Sequence, residues 1–288
     1  MIIAIASGKG GTGKTTVATN LAKVLENKNV MLLDCDVEEP NSHLFLKPVI
    51  EKEWAYRTFI PKVDLETCTF CGKCSELCQF GAIVTIKKNV LVFPELCHSC
   101  EGCKLICPVD AISDDLKDVG TILVGSSGNI RFLHGRLNIG EALAPPLIRE
   151  VKKIGLRQKS DVLVIDSPPG TSCPVIEAVK GSDFILLVTE PTPFGLNDLK
   201  LAVEMVRALS IPFGVVINRS TTGDRKIWQY CEEESIPILL EIPDDREIAV
   251  AYSHGQLMIE AIPEYRKHFE LLYQKVLDYV QSEERIRV

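Results

Sequence analysis

The chain has 288 residues, a formal net charge of −7 and hydrophobic residues at 46% of its positions, which is the composition of a globular protein. It has no strongly basic stripe of the kind that binds nucleic acid, and no apolar run approaches the ~18 residues that a membrane-spanning helix requires. We therefore expect no nucleic-acid partner and no stable membrane insertion. Because no signal-peptide pattern follows Met1, we also expect a cytoplasmic location.

Short apolar segments alternate along the chain with amphipathic ones. The predicted strands are Ile2–Ala6, Val30–Asp34, Asp161–Asp166, Asp183–Thr189, Pro212–Asn218 and Pro237–Ile242. The predicted helices are Thr15–Glu26, Pro145–Ile154, Gly195–Leu209 and Asp224–Glu234. This alternation is typical of βαβ units, so the predicted fold is α/β with a doubly wound, mostly parallel sheet. Asp118–Gly125 and Asn129–Leu137 flank a Ser-Ser-Gly turn and predict a hairpin or an antiparallel edge.

The last predicted helix covers Pro263–Gln281. One of its faces is apolar and consists of Tyr265, Phe269, Leu272, Val276 and Val280. A membrane-surface helix is one interpretation, but such helices are rich in basic residues, and here acidic residues interleave with few basic ones. The pattern favours a helix that packs on the sheet.

A glycine-rich segment follows the first predicted strand and opens the first predicted helix. Residues 8–15 read GKGGTGKT and fit the phosphate-binding motif G-x4-G-K-[ST] in the structural context that this motif requires. The motif predicts that Lys14 reaches the β- and γ-phosphates of ATP or ADP and that the Thr15 hydroxyl binds Mg²⁺. Backbone N–H groups and the helix N-terminus favour the phosphates. The predicted contacts are Gly8, Gly10, Gly11, Thr12, Gly13, Lys14, Thr15 and Thr16.

Two aspartates lie at the carboxyl ends of predicted strands, where doubly wound sheets bind their ligands. Asp166 ends a buried strand and is predicted to hold Mg²⁺. Asp36 closely follows another strand and is predicted to orient the attacking water or to hold Mg²⁺ through water. The alternative for each residue is a capping or turn carboxylate.

Eight of the eleven cysteines form two copies of the spacing C-x2-C-x2-C-x3-C. The first copy is Cys68, Cys71, Cys74 and Cys78, and the second is Cys97, Cys100, Cys103 and Cys107. This spacing is typical of two 4Fe–4S clusters, in which the fourth cysteine of each run binds the other cluster. Zinc is the main alternative, because zinc sites also use C-x2-C pairs. A disulfide framework is disfavoured by the odd cysteine count and the missing signal peptide.

The two cysteine runs interrupt the strand–helix alternation and repeat each other. Phe80–Ile83 and Val109–Ile112 occupy equivalent places after each fourth cysteine, and both predict short strands. The sequence therefore predicts an inserted two-cluster ferredoxin module over residues 60–115. Residues 1–59 and 116–288 are predicted to form one discontinuous ATPase domain around it.

Three cysteines lie outside these runs. Cys35 and Cys231 fall in apolar or helical segments and are predicted to be buried. Cys173 lies shortly after Asp166, and packing near Pro174 is favoured over a role as a ligand.

Together, these segments resemble the MinD/ParA/Mrp superfamily, which includes the nitrogenase iron protein. The segment KGGTGKT resembles the deviant phosphate loop of that superfamily. Its switch I is matched by Asp34–Asp36 with Pro40-Asn41, and its switch II is matched by Asp166–Gly170. Thr189–Gly195 and Ile242–Arg246 resemble segments of the Mrp-like branch. With its cysteine runs included, the chain resembles superfamily members that contain an inserted ferredoxin domain.

The resemblance implies roles that the bare motifs do not. It implies an ATP-sandwich homodimer in which Lys9 reaches the partner's ATP, and slow ATP hydrolysis without a partner protein. It implies that Asn41 and Gly170 lie in the two switches, with Gly170 sensing the γ-phosphate. It also implies that Asn218, followed by Arg219, reads the adenine base.

Three functions are compatible with this combination. We favour an ATP-gated electron carrier that passes electrons through two 4Fe–4S clusters to a protein redox partner. The second is an ATP-dependent carrier or assembly factor for iron–sulfur or related metal cofactors. Mrp-like carriers usually hold a labile cluster at a C-x2-C pair in the C-terminal half. This chain has only Cys173 and Cys231 there, far apart, which disfavours the second function. The third is a positioning switch of the MinD type.

Overall fold

The computed structural model describes the backbone of residues 1–286 and the side chains of residues 1–282. The chain forms two compact units. The first comprises Met1–Glu53, Ile122–Arg136 and Ile148–Val288, and the second comprises Trp54–Thr121 and Leu137–Leu147. The predicted module, residues 60–115, lies within the second unit, although its exact limits remain a prediction.

Nine of the eleven strands in residues 1–286 belong to one sheet. The strands are β1 Ile2–Ala6, β2 Val30–Asp34, β3 Val49–Val63, β4 Ile83–Ile86, β5 Asn89–Val92, β6 Ile112–Ser127, β7 Ile130–Leu137, β8 Val162–Asp166, β9 Phe184–Thr189, β10 Phe213–Ile217 and β11 Ile238–Glu241. The order in the large sheet is β11-β10-β9-β1-β8-β2-β7-β6-β3, while β4 and β5 form a separate antiparallel pair. From β11 to β7 all neighbouring strands run parallel, so the prediction of a mostly parallel α/β fold is confirmed.

Eleven helices connect these strands within the described residues. They are α1 Lys14–Val24, α2 Ser42–Leu46, α3 Lys73–Leu77, α4 Gly102–Leu105, α5 Pro145–Arg157, α6 Cys173–Val179, α7 Pro193–Ala208, α8 Lys226–Glu233, α9 Arg246–Ser253, α10 Met258–Ala261 and α11 Tyr265–Ile286. The predicted helices are all present. The remaining six, α2, α3, α4, α6, α9 and α10, were not predicted, because segments this short show no clear helical period. Over residues 1–286 no helix combines the length and apolarity that crossing a bilayer requires.

The central strands of the large sheet are apolar on both faces. Ile3, Ala4 and Ile5 of β1 are fully buried, as are Leu32 and Leu33 of β2. Successive residues of a strand point to opposite faces, so both faces of the sheet are covered. On one face, alternate strand residues form a continuous core with α1, α10 and α11.

Strands β6 and β7 form the predicted hairpin, with Gly128 in the left-handed region at its turn (φ 56°). They do not form the edge of the sheet, however, because β3 lies outside β6. The sequence analysis missed β3, since most of its first ten residues are exposed and show no apolar alternation.

The predicted strands after the fourth cysteines are displaced. Strand β4 begins at Ile83 and β6 at Ile112, the last residue of each predicted segment. The preceding residues cannot be extended, because Gly81 (φ 65°) and Asp110 (φ 52°) adopt the left-handed conformation. The equivalence of the two places nevertheless holds, since both segments turn at the same offset from their cysteine.

Helix α11 packs on the large sheet, as its apolar face predicts. Phe269, Leu272 and Val276 are fully buried in the core that β1 and α1 also form. This packing occupies the face that a membrane-surface helix would turn to lipid.

We predict that Asn20→Ala destabilises the first unit by about 1–3 kcal/mol. Asn20 is buried in α1, and its Oδ1 accepts a hydrogen bond of 3.0 Å from the backbone N–H of Ile259. The truncation leaves that N–H buried without a partner. Urea unfolding of the whole chain measures the loss.

Asn29→Ala is the control, because the side chain of the exposed Asn29 likewise makes a hydrogen bond to the backbone, in this case donating to the Lys159 carbonyl at 3.0 Å. Water replaces that bond, so the expected cost is within about 0.5 kcal/mol. Equal losses in the two variants would contradict the role assigned to Asn20.

Candidate functional site

The glycine-rich segment forms the connection between β1 and α1. Gly11 and Gly13 adopt the left-handed conformation, with φ of 77° and 98°. A Cβ atom on Gly11 would meet no protein atom within 4 Å, so the space beside it is open. Gly13 immediately precedes α1, which exposes the N–H groups at its N-terminus. The backbone therefore has the geometry of a phosphate cradle.

Gly8 has a different reason to be glycine. A Cβ atom there would lie 2.1 Å from the backbone oxygen of Asp198 in α7. The start of the loop is packed directly on α7, and no side chain fits between them. Gly8 thus secures the position of the loop, and its predicted phosphate contact remains a prediction.

Lys14 is the cation at the centre of three carboxylates. Burial lowers its pKa, while Asp166, Asp36 and Asp34 raise it. Burial likewise raises the pKa of Asp36 to about 7, with repulsion from Asp166 as the second cause. Burial raises the pKa of Asp34 and of Asp166 as well. Three carboxyl groups thus lie near one lysine in a region where burial disfavours the charged form of each.

Asp166 is positioned to hold a divalent cation. Its Oδ2 accepts a hydrogen bond from the Ser42 hydroxyl at 3.0 Å, and the nearby Thr15 hydroxyl lowers the pKa of this carboxyl group. Its Oδ1 is buried and has no hydrogen-bond partner among the described residues. A free, buried carboxylate oxygen beside a threonine hydroxyl fits the oxygen donors that Mg²⁺ prefers. The Asp166 and Thr15 predictions thus meet at one place.

Two residues that the sequence analysis did not single out shape this place. Asp34 is fully buried and accepts hydrogen bonds from the N–H groups of Asp36 at 3.1 Å and Ser42 at 2.9 Å. Ser42 in turn bonds Asp166, so it links the segment after β2 to the end of β8. The only signal in the sequence was that Asp34 begins the predicted switch I and Ser42 directly follows it.

The two predicted switch residues lie at the same edge of the sheet. Asn41 immediately precedes α2 and is half-buried. Gly170 has φ 96°, and its N–H donates to the Ser7 carbonyl at 2.9 Å. Gly170 must therefore leave Ser7 before its N–H can contact a γ-phosphate, and its sensing role remains a prediction.

Asn218 contacts the phosphate loop through its side chain. Its Nδ2 donates to the Thr12 carbonyl at 2.9 Å, and its Oδ1 accepts from the Arg219 N–H at 3.0 Å. Arg219 donates to Glu190 at 3.3 Å, and Lys9 donates to the same carboxylate. The predicted base-reading residues are thus connected to the phosphate loop, whereas their contact with adenine is untested.

The eight cysteines of the second unit line two cavities. The first cavity is lined by Cys68, Cys71, Cys74 and Cys107. The second is lined by Cys97, Cys100, Cys103 and Cys78. Each cavity thus receives three cysteines from one run and the last cysteine from the other. This donor set fits two four-cysteine clusters.

The backbone around the cysteines repeats with the sequence. Phe70 and Ser99 are both left-handed, with φ of 56° and 53°, and each lies two residues after the first cysteine of its run. Their N–H groups donate to the sulfur atoms of Cys68 and Cys97, at 3.4 and 3.5 Å. N–H groups that point at sulfur stabilise thiolate charge, as cluster ligands require.

A single zinc ion fits these side chains less well. Among residues 1–282, no three cysteine, histidine or acidic side chains are gathered closely enough to bind one ion. A tetrahedral zinc site needs four ligands within about 2.3 Å of one point. The cysteines instead surround two cavities, which suits a larger group.

The other three cysteines differ from one another. Cys35 and Cys231 are buried, as predicted, and burial raises the pKa of both thiols, that of Cys231 to about 11. Cys173 is exposed at the start of α6, so the prediction that it is packed near Pro174 is wrong. Pro174 follows Cys173 in the first turn of α6.

Comparison with known families places this site in context. The family described as the CobQ/CobB/MinD/ParA nucleotide binding domain matches residues 3–258. An uncharacterized protein of Methanocaldococcus jannaschii is 32% identical over 264 residues, which cover 90% of this chain and 92% of that protein.

Two further proteins are more distantly similar. The iron–sulfur cluster carrier protein of Aquifex aeolicus is 27% identical over 283 residues, 91% of this chain and 63% of that protein. The structure of the septum site-determining protein MinD of Pyrococcus horikoshii, complexed with Mg-ADP, superimposes with a TM-score of 0.59 at 22% identity. That match covers 96% of this chain and 95% of the other. This similarity shows the fold.

We predict that Gly13→Ala weakens binding of a fluorescent ATP analogue by at least about tenfold. A Cβ atom there would lie 2.5 Å from Asn218 Nδ2, and φ is 98°. Relief of the collision displaces Asn218 or the loop, in addition to the ~1–2 kcal/mol that a left-handed alanine costs. Equilibrium titration measures the binding.

Gly181→Ala separates the two effects. Gly181 has φ 80°, and a Cβ atom on it would meet no protein atom within 4 Å, so only the conformational cost remains. The substitution should lower the free energy of unfolding without changing nucleotide affinity. If both variants bind the analogue equally well, the contact of Gly13 with Asn218 does not shape the site.

Proposed function

The chain belongs to the CobQ/CobB/MinD/ParA nucleotide-binding family, and we propose that it is an iron–sulfur ATPase whose nucleotide state controls electron transfer through two 4Fe–4S clusters. The main support for this proposal is that two cavities, each lined by four cysteines, occur in the same chain as a phosphate loop. ATP hydrolysis to ADP and phosphate is the proposed reaction.

The proposed chemistry rests on positioning and charge compensation, as in other phosphoryl transfers. The loop N–H groups and Lys14 bind the phosphates, and Asp36 orients the attacking water and accepts its proton. Burial raises the pKa of Asp36 to about 7, which suits proton transfer near neutral pH. When bound by Thr15 and Asp166, Mg²⁺ supplies charge neutralisation to the phosphate oxygens.

The active form is proposed to be a homodimer with ATP at its interface. Lys9 is not needed to cradle phosphate within its own chain, and its ammonium is partly exposed. Its resemblance to the extra lysine of the superfamily's phosphate loop supports a contact with the partner's ATP. ATP is then both part of the dimer interface and the substrate that the dimer hydrolyses.

Resident clusters are favoured over transported ones. Each cavity has a full set of four cysteines and lies beside the apolar residues Ile83, Val90 and Ile112. A cluster bound by four thiolates is retained, and it supplies a site for one-electron transfer. A protein redox partner is then needed as donor or acceptor.

The second candidate is an ATP-dependent iron–sulfur carrier or assembly factor. It is favoured by the similarity to the Aquifex aeolicus protein, whose name states that role. The exposure of Cys71 and Cys100, one in each cavity, would allow a recipient protein to approach the cluster. Among the contacts of residues 1–282, none specifically favours a positioning switch.

The two proposed cluster sites predict a distinctive pattern of iron loss. Protein purified without oxygen should contain about eight iron and eight sulfide per chain, as two 4Fe–4S clusters do. Cys100→Ser should lose about half of the iron. Cys71→Ser combined with Cys107→Ser should also lose half, because both residues line the first cavity. Cys71→Ser combined with Cys78→Ser should lose nearly all of the iron, since these two residues line different cavities.

Iron and sulfide analysis with electron paramagnetic resonance measures these losses. Cys231→Ala is the control, because Cys231 is buried in α8 and should not affect iron content. Stoichiometric zinc in place of iron would refute the cluster assignment. Equal losses in the two double variants would refute the exchange of fourth cysteines.

Two lysine variants distinguish nucleotide binding from assembly. Lys14→Ala should abolish nucleotide binding, because it removes the buried cation of the phosphate site. Lys9→Ala should bind ATP in the monomer with nearly normal affinity but fail to hydrolyse it. Calorimetry and phosphate release measure the two properties. Hydrolysis by Lys9→Ala at the parent rate would exclude the contact in trans.

A further inference from the structure

The Glu190 carboxylate bridges Lys9 and Arg219. Glu190 follows β9 directly, and only 11% of its side chain is exposed. Its Oε1 accepts a hydrogen bond from the Lys9 ammonium, while its Oε2 accepts one from Arg219 Nη1 at 3.3 Å. Lys9 is thus tied to its own chain, although 30% of its side chain is exposed.

The position of Glu190 is fixed by its backbone. The Thr192 N–H donates to the Glu190 carbonyl at 2.7 Å, and Thr192 caps α7 by accepting from the Gly195 N–H at 2.9 Å. A Cβ atom on Gly195 would lie 2.2 Å from the Glu190 carbonyl oxygen. These contacts fix the backbone that carries Glu190, and the side chain of Lys9 is the more exposed member of the pair.

We propose that Glu190 is a positioning residue that holds Lys9 in the free protomer and releases it when the dimer forms. This inference rests on the proposed contact of Lys9 with the partner's ATP. While the Lys9–Glu190 pair is closed, the ammonium is directed to its own chain. The pair must open before Lys9 can bind a phosphate of the partner's nucleotide.

Arg219 lowers the free-energy cost of opening the Lys9–Glu190 ion pair. Removal of one partner from a largely buried ion pair is unfavourable when the remaining charge is left alone. Here Arg219 still compensates Glu190 after Lys9 leaves, through the second carboxylate oxygen. The γ-phosphate attracts the freed lysine, and ADP lacks that charge. The exchange therefore favours ATP over ADP as the nucleotide that opens the pair.

Glu190→Gln tests the proposal, because it keeps the size and an acceptor oxygen but removes the charge. With a non-hydrolysable ATP analogue, sedimentation velocity should show a dimer dissociation constant at least about fivefold lower than in the parent chain. In a Lys9→Ala background the same substitution should have no such effect, as a double-mutant cycle requires. Glu234→Gln, which removes the exposed pair with Arg207, should leave dimerisation unchanged.

An assay without nucleotide separates this inference from the proposed dimer. Acylation of Lys9 in the monomer, followed by mass spectrometry, should be faster in Glu190→Gln than in the parent chain. Equal labelling rates overturn the role of Glu190 whether or not the chain dimerises. The role of Glu190 is also overturned if Glu190→Gln leaves the dimer unchanged or weakens it. The same holds if the gain in dimer affinity persists in the Lys9→Ala background. If the parent chain stays monomeric with the analogue while labelling rises, the dimer proposal fails and the cis contact stands.

Discussion

The nucleotide site depends on three carboxyl groups placed near one lysine, away from bulk water. Asp34, Asp36 and Asp166 all act on Lys14, and burial raises the pKa of each carboxyl group. When these groups are charged they repel a polyphosphate at short range. A cation that enters with the nucleotide offsets this repulsion. The unpartnered Oδ1 of Asp166 marks where the protein leaves room for one.

This arrangement also makes the segment after β2 responsive to the nucleotide. Asp34 accepts N–H groups from both ends of residues 36–42, and Ser42 bonds Asp166. A change of charge at Asp166 thus reaches Ser42 through one hydrogen bond. On the other side of the loop, Asn218 and Glu190 hold Thr12 and Lys9. Asn218 and Glu190 thus bind the phosphate loop from one side through contacts that a ligand can displace.

The sequence predicted the parts of this protein that repeat a strong local pattern. Strands such as Ile2–Ala6, the phosphate loop and the two cysteine runs all have short-range signals in spacing or hydrophobicity. Strand β3 gave no such signal, because its side chains are mostly exposed. The Glu190–Lys9 pair was also unpredictable, since the two residues lie 181 positions apart and meet only through the order of β9 and β1. Cys173 was assigned wrongly because burial of a single residue near a helix start has no sequence signature.

The central claim is that nucleotide and clusters act on each other within one chain. Thermodynamic linkage makes the claim testable without knowledge of the redox partner, because a nucleotide that changes the reduction equilibrium must have its own affinity changed by the same factor. The direct measurement is the ratio of ATP to ADP affinity in protein with both clusters loaded, first oxidised and then reduced with dithionite. The account predicts that this ratio differs between the two states. The same ratio in both states would contradict the coupling and favour structural or transported clusters.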